Sequence, residues 1–274
     1  MTSQYDGSDR YKSTGDGIYD PKDGAPVEKG ELNILHPQRI NPPGLPGEFY
    51  TPFGPAVGYR QLSKKLIRKL NKICDNHAKG RKKLESHARS LIGKVTEEPE
   101  IPKDVALEVI DELYEFLCTY IALVKSREIK QNVGPPPGTK FTFRPVSAWF
   151  VRQYANDYNP IHIHTGCNMS CIGYLKVPPG IALDRKKDTK NDLFSSHGLT
   201  EFVFTNGTFD TLPQAGNYRI APEVGDFWVF PATLQHQVYP FKTKGERRSF
   251  SMNMNFDMEK ITPQDTGGWQ EMKG

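Results

Sequence analysis

Three histidines have the type and spacing of a metal site. His162 and His164 are one residue apart, so on a strand they point to the same side, because side chains alternate with period two. His236 lies far downstream, in Gly225-Asp-Phe-Trp-Val-Phe-Pro231 followed by Ala-Thr-Leu-Gln-His236, and Pro231 and Pro240 frame it as the start of a strand. Brought in from a distant strand, a third imidazole closes a facial three-ligand site and leaves coordination positions open for substrates. Imidazole suits iron, copper, zinc and nickel alike, so the ligand type alone does not name the metal. A single histidine is more often a surface residue than a ligand, and the ordered trio is what raises these three above that reading.

Arg247 narrows the chemistry further. If the final segment is a strand, Arg247, Ser249, Ser251, Asn253 and Asn255 share one face, and Arg248, Phe250, Met252, Met254 and Phe256 share the other. A polar stripe on a central strand is costly unless it lines a wet pocket or is solvated. A guanidinium with a hydroxyl two residues on suits a carboxylate, which accepts a bidentate fork and one further bond.

The elements that must position these groups are legible as a change of period. Residues 1–47 read as an extended arm rich in Gly, Asp, Lys, Tyr and Pro, ending in Asn41-Pro-Pro-Gly-Leu-Pro-Gly47. A short strand is expected over Phe49–Val57. A helix over about 61–78 follows, with Leu62, Leu66, Leu70, Ile73 and Cys74 on one face. A second helix over about 103–127 carries Val105, Val109, Ile110, Leu113, Leu117 and Tyr120 as its apolar stripe, with Pro102 and Asp104 at its start. From Gly134 onward the period becomes two. Strands are expected at Lys140–Phe143, Ser147–Tyr154, Ile161–His164, Met169–Val177, Thr200–Phe204, Phe227–Phe230, His236–Tyr239 and Ser249–Phe256. Eight short strands separated by turn residues predict a mainly β fold, a double-sheet jelly roll (double-stranded β-helix), flanked by two or more N-terminal helices and spanning residues 48–258. Asp184–Asp192 is expected as a charged loop and residues 259–274 as a polar tail.

Taken in order, these motifs resemble the Fe(II)- and 2-oxoglutarate-dependent oxygenases of the prolyl-hydroxylase-like branch, and within it the small oxygenase-like proteins common in phage genomes. The carriers are Trp149-Phe-Val-Arg-Gln-Tyr154, His162-Ile-His164, Ile172-Gly-Tyr174-Leu175, Gly225-Asp226 through Pro231, His236-Gln-Val238 and Arg247-Arg-Ser249. The resemblance implies Fe(II) and 2-oxoglutarate as cofactors. It implies that His162 and His236 bind iron, that Arg247 clamps the distal carboxylate of 2-oxoglutarate with help from Ser249 and Tyr174, and that Tyr154 lines the pocket. His164 departs from the pattern, which usually has a carboxylate there. It makes either a neutral three-histidine site or a site with a vacant position. Asp157 has the wrong spacing to substitute. The cupins share the jelly roll and a related histidine pattern, but the Glu they place shortly after His-x-His is Asn168 or Met169 here.

Two functions follow from the resemblance. One is an oxygenase hydroxylating a peptide, protein or nucleobase. The other is a non-enzymatic structural or adaptor protein of a virion that reuses the fold, with the arm wrapping neighbouring chains in a homo-oligomer or larger assembly. Composition bounds the rest. The chain of 274 residues, with 36% hydrophobic residues, 24 Gly and 22 Pro, favours a turn-rich β architecture with a true core. No apolar run is long enough to span a membrane, and the N-terminus has no signal-peptide pattern, so cytoplasm or virion is expected. Cys74, Cys118, Cys167 and Cys171 are too few for a disulfide framework and fit a reducing compartment. A net charge of +4 names no partner. The basic stretch 60–95 is a second candidate surface, for nucleic acid, beside the commoner reading as a solvated helix face and a basic loop.

Overall fold

Period-two patterning closes into antiparallel sheets whose two faces separate an aliphatic core from a polar cavity. The computed structural model describes residues 17–19, 26–28, 38–39, 46–51, 54–87, 93–128, 139–188, 196–204 and 216–260. Most of the expected N-terminal arm, and the tail from residue 261, lie outside them. β1 (Gly17–Tyr19) and β2 (Pro26–Glu28) pair with each other. The main sheet has seven strands. In spatial order they are β3 (Gln38–Arg39), β4 (Glu48–Thr51), β5 (Val57–Gln61), β11 (Asp226–Pro231), β8 (Met169–Lys176), β13 (Arg247–Lys260) and β6 (Thr139–Gln153). The second sheet has four strands, in the order β10 (Asn217–Ile220), β9 (Thr200–Val203), β12 (Gln235–Val238) and β7 (Asn159–His162). Together they form the jelly roll. α1 (Lys64–Ala78) and α2 (Lys103–Glu128) cover the outer face of the large sheet, and α3 (Gly180–Asp188) follows β8.

Alternation decides which residue faces which layer. Phe227 and Val229 of β11, Cys171 and Leu175 of β8, and Phe250, Met252 and Met254 of β13 pack against Leu66, Leu70 and Cys74 of α1 and Leu113, Phe116 and Leu117 of α2. Their in-between neighbours Trp228, Phe230, Ile172 and Tyr174 turn inward and meet Phe202, Ile220 and Leu234 between the sheets. Each large apolar side chain so buried stabilises the fold by about 1.5–3 kcal/mol. At Gly173 a Cβ would meet the Phe250 ring at 2.2 Å, so glycine lets that ring lie across β8. Ser63 caps α1, its hydroxyl accepting from the Leu66 amide at 3.1 Å. Arg248 and Arg152, on the helix side of the large sheet, both pair with Glu246, and Arg248 also reaches Asp75 of α1.

Four expectations need correction. The strands over Lys140–Phe143 and Ser147–Tyr154 are one continuous β6. Pro145 is absorbed because β6 ends the seven-strand order and a bulge opposite Asn253 and Met254 takes up the break. Phe49–Val57 is not one strand but falls on a hairpin, β4 pairing antiparallel with β5. The charged stretch from Asp184 starts inside α3 rather than in a loop, its helix anchored by buried Ile181; residues 189–192 lie outside the described residues. β10 was not expected at all.

The segment 97–100 runs antiparallel beside β6, with Glu97 opposite Arg152 and Glu100 opposite Trp149. Glu98 is only 6% exposed, and its Oε1 has no hydrogen-bond partner among the described residues. Burial pushes its carboxyl up to about 7 from an ordinary 4.5. A carboxyl raised on folding contributes its stability fully below pH 4.5 and loses it as pH rises through 7. Glu98→Gln is therefore expected to gain about 3 kcal/mol over the parent at pH 8 and almost nothing at pH 4, read as thermal melts at both values.

Candidate active site

His162 ends β7 and stands directly opposite His236 on β12. The bulge between β7 and β12 falls at this point and re-aims the chain, and His164 follows just past the strand, its amide donating to the Ala232 carbonyl at 2.9 Å. The three rings meet, with centroids 4.2 Å (His162 and His236), 5.1 Å (His164 and His236) and 5.3 Å (His162 and His164) apart. Their ligand nitrogens all lie within 4.8 Å of one another, and the Nε2 atoms of His164 and His236 are 3.3 Å apart.

The local hydrogen bonds fix which nitrogen faces inward. His162 Nδ1 lies 2.7 Å from the Pro160 carbonyl and His236 Nδ1 lies 2.9 Å from the Leu234 carbonyl. A carbonyl only accepts, so both Nδ1 atoms carry the proton and both Nε2 lone pairs point at the shared centre. Burial, then mutual repulsion, lowers the pKa of His236 well below its ordinary value and that of His164 to about 4; burial also lowers that of His162. All three are thus neutral at pH 7, the state a metal requires. Two nitrogens each about 2.0–2.1 Å from one ion sit about 3 Å apart, so the His164 and His236 pair is already spaced as a ligand pair. Among the described residues no carboxylate joins the cluster. Asp157 is occupied elsewhere, accepting from Thr96 and from the Tyr154 amide.

The histidines form one end of a cavity between the sheets. Its walls are Trp149, Val151 and Gln153 of β6, Ser249 and Ser251 of β13, Thr200 of β9, and the apolar Ile172, Phe230 and Val238. Arg247 extends the face of Ser249 and Ser251. It is fully buried, and among the described residues neither its Nε nor its Nη1 has an acceptor. Nη2 donates to Thr200 Oγ1 at 3.1 Å and, at 3.4 Å, more weakly to the Tyr174 hydroxyl. Tyr174 and Thr200 are themselves joined at 2.7 Å. Burial pulls the Arg247 pKa down, and among the described residues no carboxylate answers it. Gln153 is the direct cross-strand partner of Arg247 and is 1% exposed, and its Nε2 has no partner among the described residues. Side chains so paired share a face with Cβ atoms about 5 Å apart. Arg247, Gln153, Thr200, Ser249 and Tyr174 thus gather hydrogen-bond donors around one buried spot with no anion among the described residues.

Of the residues singled out from sequence, the structure brings together His162, His164 and His236, sets Ser249 on the wall of the same cavity, and ties Arg247 and Tyr174 to Thr200 of that wall by hydrogen bonds. Tyr154 is not there. It lies on the opposite face of the chain from Gln153, its hydroxyl accepting from Arg152 Nη2 at 2.8 Å. The expectation was off by one position, and one position changes the face. Thr200 and Gln153 escaped the sequence reading, since only long-range register brings them to Arg247.

Residues 147–253 match the model of the family described as "Putative 2OG-Fe(II) oxygenase". That segment is similar to the 2OG-Fe(II) oxygenase family. The matched span contains all three histidines, Arg247, Ser249, Tyr174, Gln153 and Thr200. Fe(II) and 2-oxoglutarate are the cofactors that go with this family, and the donor sets fit them, neutral imidazoles for the metal and the N–H groups of Arg247 and Gln153 without acceptors among the described residues for a carboxylate. Solved structures of similar shape include a prolyl-4-hydroxylase from Pseudomonas putida, at 13% identity and a TM-score of 0.43 over 73% of this chain and 91% of that one. They include a Trichoplax adhaerens prolyl hydroxylase in complex with a hypoxia inducible factor peptide fragment, at 12% identity and a TM-score of 0.42 over 73% and 83%. A 2OG-Fe(II) oxygenase family oxidoreductase from Burkholderia pseudomallei superposes at 12% identity and a TM-score of 0.37 over 72% and 84%. At such identities no residue role passes from them to this chain. No curated protein matches the sequence.

Proposed function

We propose that the protein is an Fe(II)- and 2-oxoglutarate-dependent hydroxylase with a three-histidine metal centre, acting on a peptide, protein or nucleobase. The observation that carries this reading is the buried Arg247, whose Nε and Nη1 have no acceptor among the described residues and whose Nη2 donates to Thr200 on the wall of the cavity that holds three converging imidazoles. His162, His164 and His236 hold the metal through their Nε2 atoms. Arg247 receives the distal carboxylate of the co-substrate on Nε and Nη1, with the Gln153 amide and the Ser249 hydroxyl beside it. Thr200 and Tyr174 brace the guanidinium from behind, so its fork stays aimed. Trp149, Val151, Ile172, Phe230 and Val238 keep the space between the two ends apolar and exclude water. When bound, Fe(II) and 2-oxoglutarate supply oxidative decarboxylation to succinate coupled to hydroxylation of the prime substrate.

No observation favours the non-enzymatic reading over this one, and the family match supports the enzyme. The test is succinate release by purified protein loaded with Fe(II) and given 2-oxoglutarate and air, without prime substrate. Slow uncoupled turnover is expected, lost when either Fe(II) or 2-oxoglutarate is omitted. Absence of succinate at high protein concentration with metal demonstrably bound would overturn the proposal.

A further inference from the structure

α1 carries charge where helix energetics disfavour it. Its first turn has no acid, and Lys64 and Lys65 stand there beside the positive end of the helix dipole. Lys64 with Arg68, Arg68 with Lys72, and Lys65 with Lys69 are like-charge pairs four residues apart, each destabilising by about 0.2–0.5 kcal/mol. All five side chains are exposed, and among the described residues only Lys69 has an ion pair, with Glu108 of α2. Glu112 of α2 already accepts from the amide and hydroxyl of Ser63 at the helix start. The unmatched charge is therefore the exposed arc, not the helix terminus. Past the helix, Gly80 turns the chain with φ +66° in open space, and exposed Arg81, Lys82 and Lys83 prolong the same charge. Asp75, the one acid between Lys64 and Lys83, is turned to Lys176 and Arg248. Residues that break local rules without a structural gain point to function.

We propose that the exposed arc of α1, continued by Lys79–Lys83, is a docking surface for the phosphate backbone of double-stranded nucleic acid. α1 has 15 residues, so it is about 22 Å long, and Lys64, Arg68 and Lys72 follow one another at steps of about 6 Å along its axis. A duplex offers a phosphate charge about every 1.7 Å, so each of the three finds one. No aromatic side chain interleaves the cations, which removes base stacking and leaves a backbone contact. A lipid surface fits less well, because the apolar side of α1 is buried through Leu66, Leu70 and Cys74 and has nothing to insert. α1 packs on the outer face of the large sheet, through Asn71 to the Leu175 carbonyl and Arg248 to Asn71. A docked duplex would leave the histidine cavity open, and the inference stands independently of the reaction proposed above.

The test is fluorescence anisotropy of the full chain with a labelled mixed-sequence duplex of about 24 base pairs, repeated over a salt series. At about 150 mM salt a dissociation constant of about 1–100 µM is expected, with a log–log salt slope near −4 to −5, the value for about five neutralised phosphates. The exposed triple variant Lys64→Glu, Arg68→Glu, Lys72→Glu is expected to bind at least 50-fold more weakly and to flatten the slope by about 2.7. Its melting temperature and metal uptake should match the parent, which separates lost docking from lost fold. Duplex binding too weak to saturate at 1 mM protein, an unaltered affinity in the folded variant, or tighter binding to an equal-length single strand or to phosphatidylserine vesicles would each overturn the assignment.

Discussion

Arg247→Met is expected to weaken 2-oxoglutarate binding by at least about 30-fold while leaving the protein without co-substrate as stable as the parent or more so. Removing one partner of a buried charge pair costs roughly 2–5 kcal/mol of binding, and here the co-substrate is the partner. Stability should move the other way. Arg247 is fully buried with two nitrogens lacking acceptors, so the protein alone bears the desolvation of a guanidinium with only the Thr200 and Tyr174 hydroxyls in return. Met has similar volume and no charge, and replacing buried ionic groups with apolar ones often stabilises by about 1–4 kcal/mol. Isothermal titration with 2-oxoglutarate on anaerobic Fe(II)-loaded protein reads the first effect, and thermal melts without co-substrate read the second. Arg248, its neighbour, is the control. It faces Glu246, Asp75 and Asn71 on the helix side, so Arg248→Met should destabilise the fold and leave 2-oxoglutarate affinity alone. If Arg247→Met instead melted early and bound the diacid normally, Arg247 would be a structural cation.

The contrast between Arg247 and Arg248 also marks what could be read from the chain. Parity along a single strand is local, so the polar stripe of Arg247, Ser249 and Ser251 and the apolar one of Phe250, Met252 and Met254 were legible before any fold was known. The histidine trio was legible from residue type and order, though His164 lies past the end of β7 and not on the strand face its spacing suggested. Register between strands is not local. Nothing in Gln153 or Thr200 by itself announces Arg247; the pairing of β6 with β13 and the Tyr174–Thr200 contact do. Tyr154 misled because the strand was expected to hold it on the pocket side, whereas the face there belongs to Trp149, Val151 and Gln153. β10 and α3 were missed because each is short and carries little buried surface of its own, so tertiary contact rather than pattern forms them.

His164 is where the chain departs from a two-histidine, one-carboxylate site, and its geometry predicts that it is a full ligand. Its Nε2 is 3.3 Å from that of His236, and its amide is tied to the Ala232 carbonyl, so the ring is aimed rather than free. His164→Ala and His236→Ala are expected to lower Fe(II) affinity to a similar degree, each by more than the ~10–100-fold that follows loss of an outer-shell partner alone. Equal metal affinity in His164→Ala and the parent would leave a two-histidine site with a vacant position. The pH dependence supplies a second, independent reading. Ordinary histidines titrate near 6.5, so three of them would lose about 10³-fold in metal affinity on going from pH 7.5 to 5.5, as protons compete for the ligand nitrogens. Here burial holds His164 neutral down to about pH 4, and lowers the pKa of His162 and His236 as well. The His164 and His236 lone pairs are already free at pH 5.5 and protons compete less for His162 than for an ordinary histidine, so the loss over the same interval is expected to fall well short of about 10³-fold. Competitive chelator titrations with Zn(II) or Mn(II) at the two pH values measure it without any turnover. A steep, three-proton fall would mean that the imidazoles titrate as solvated groups and that the buried cluster does not persist in solution.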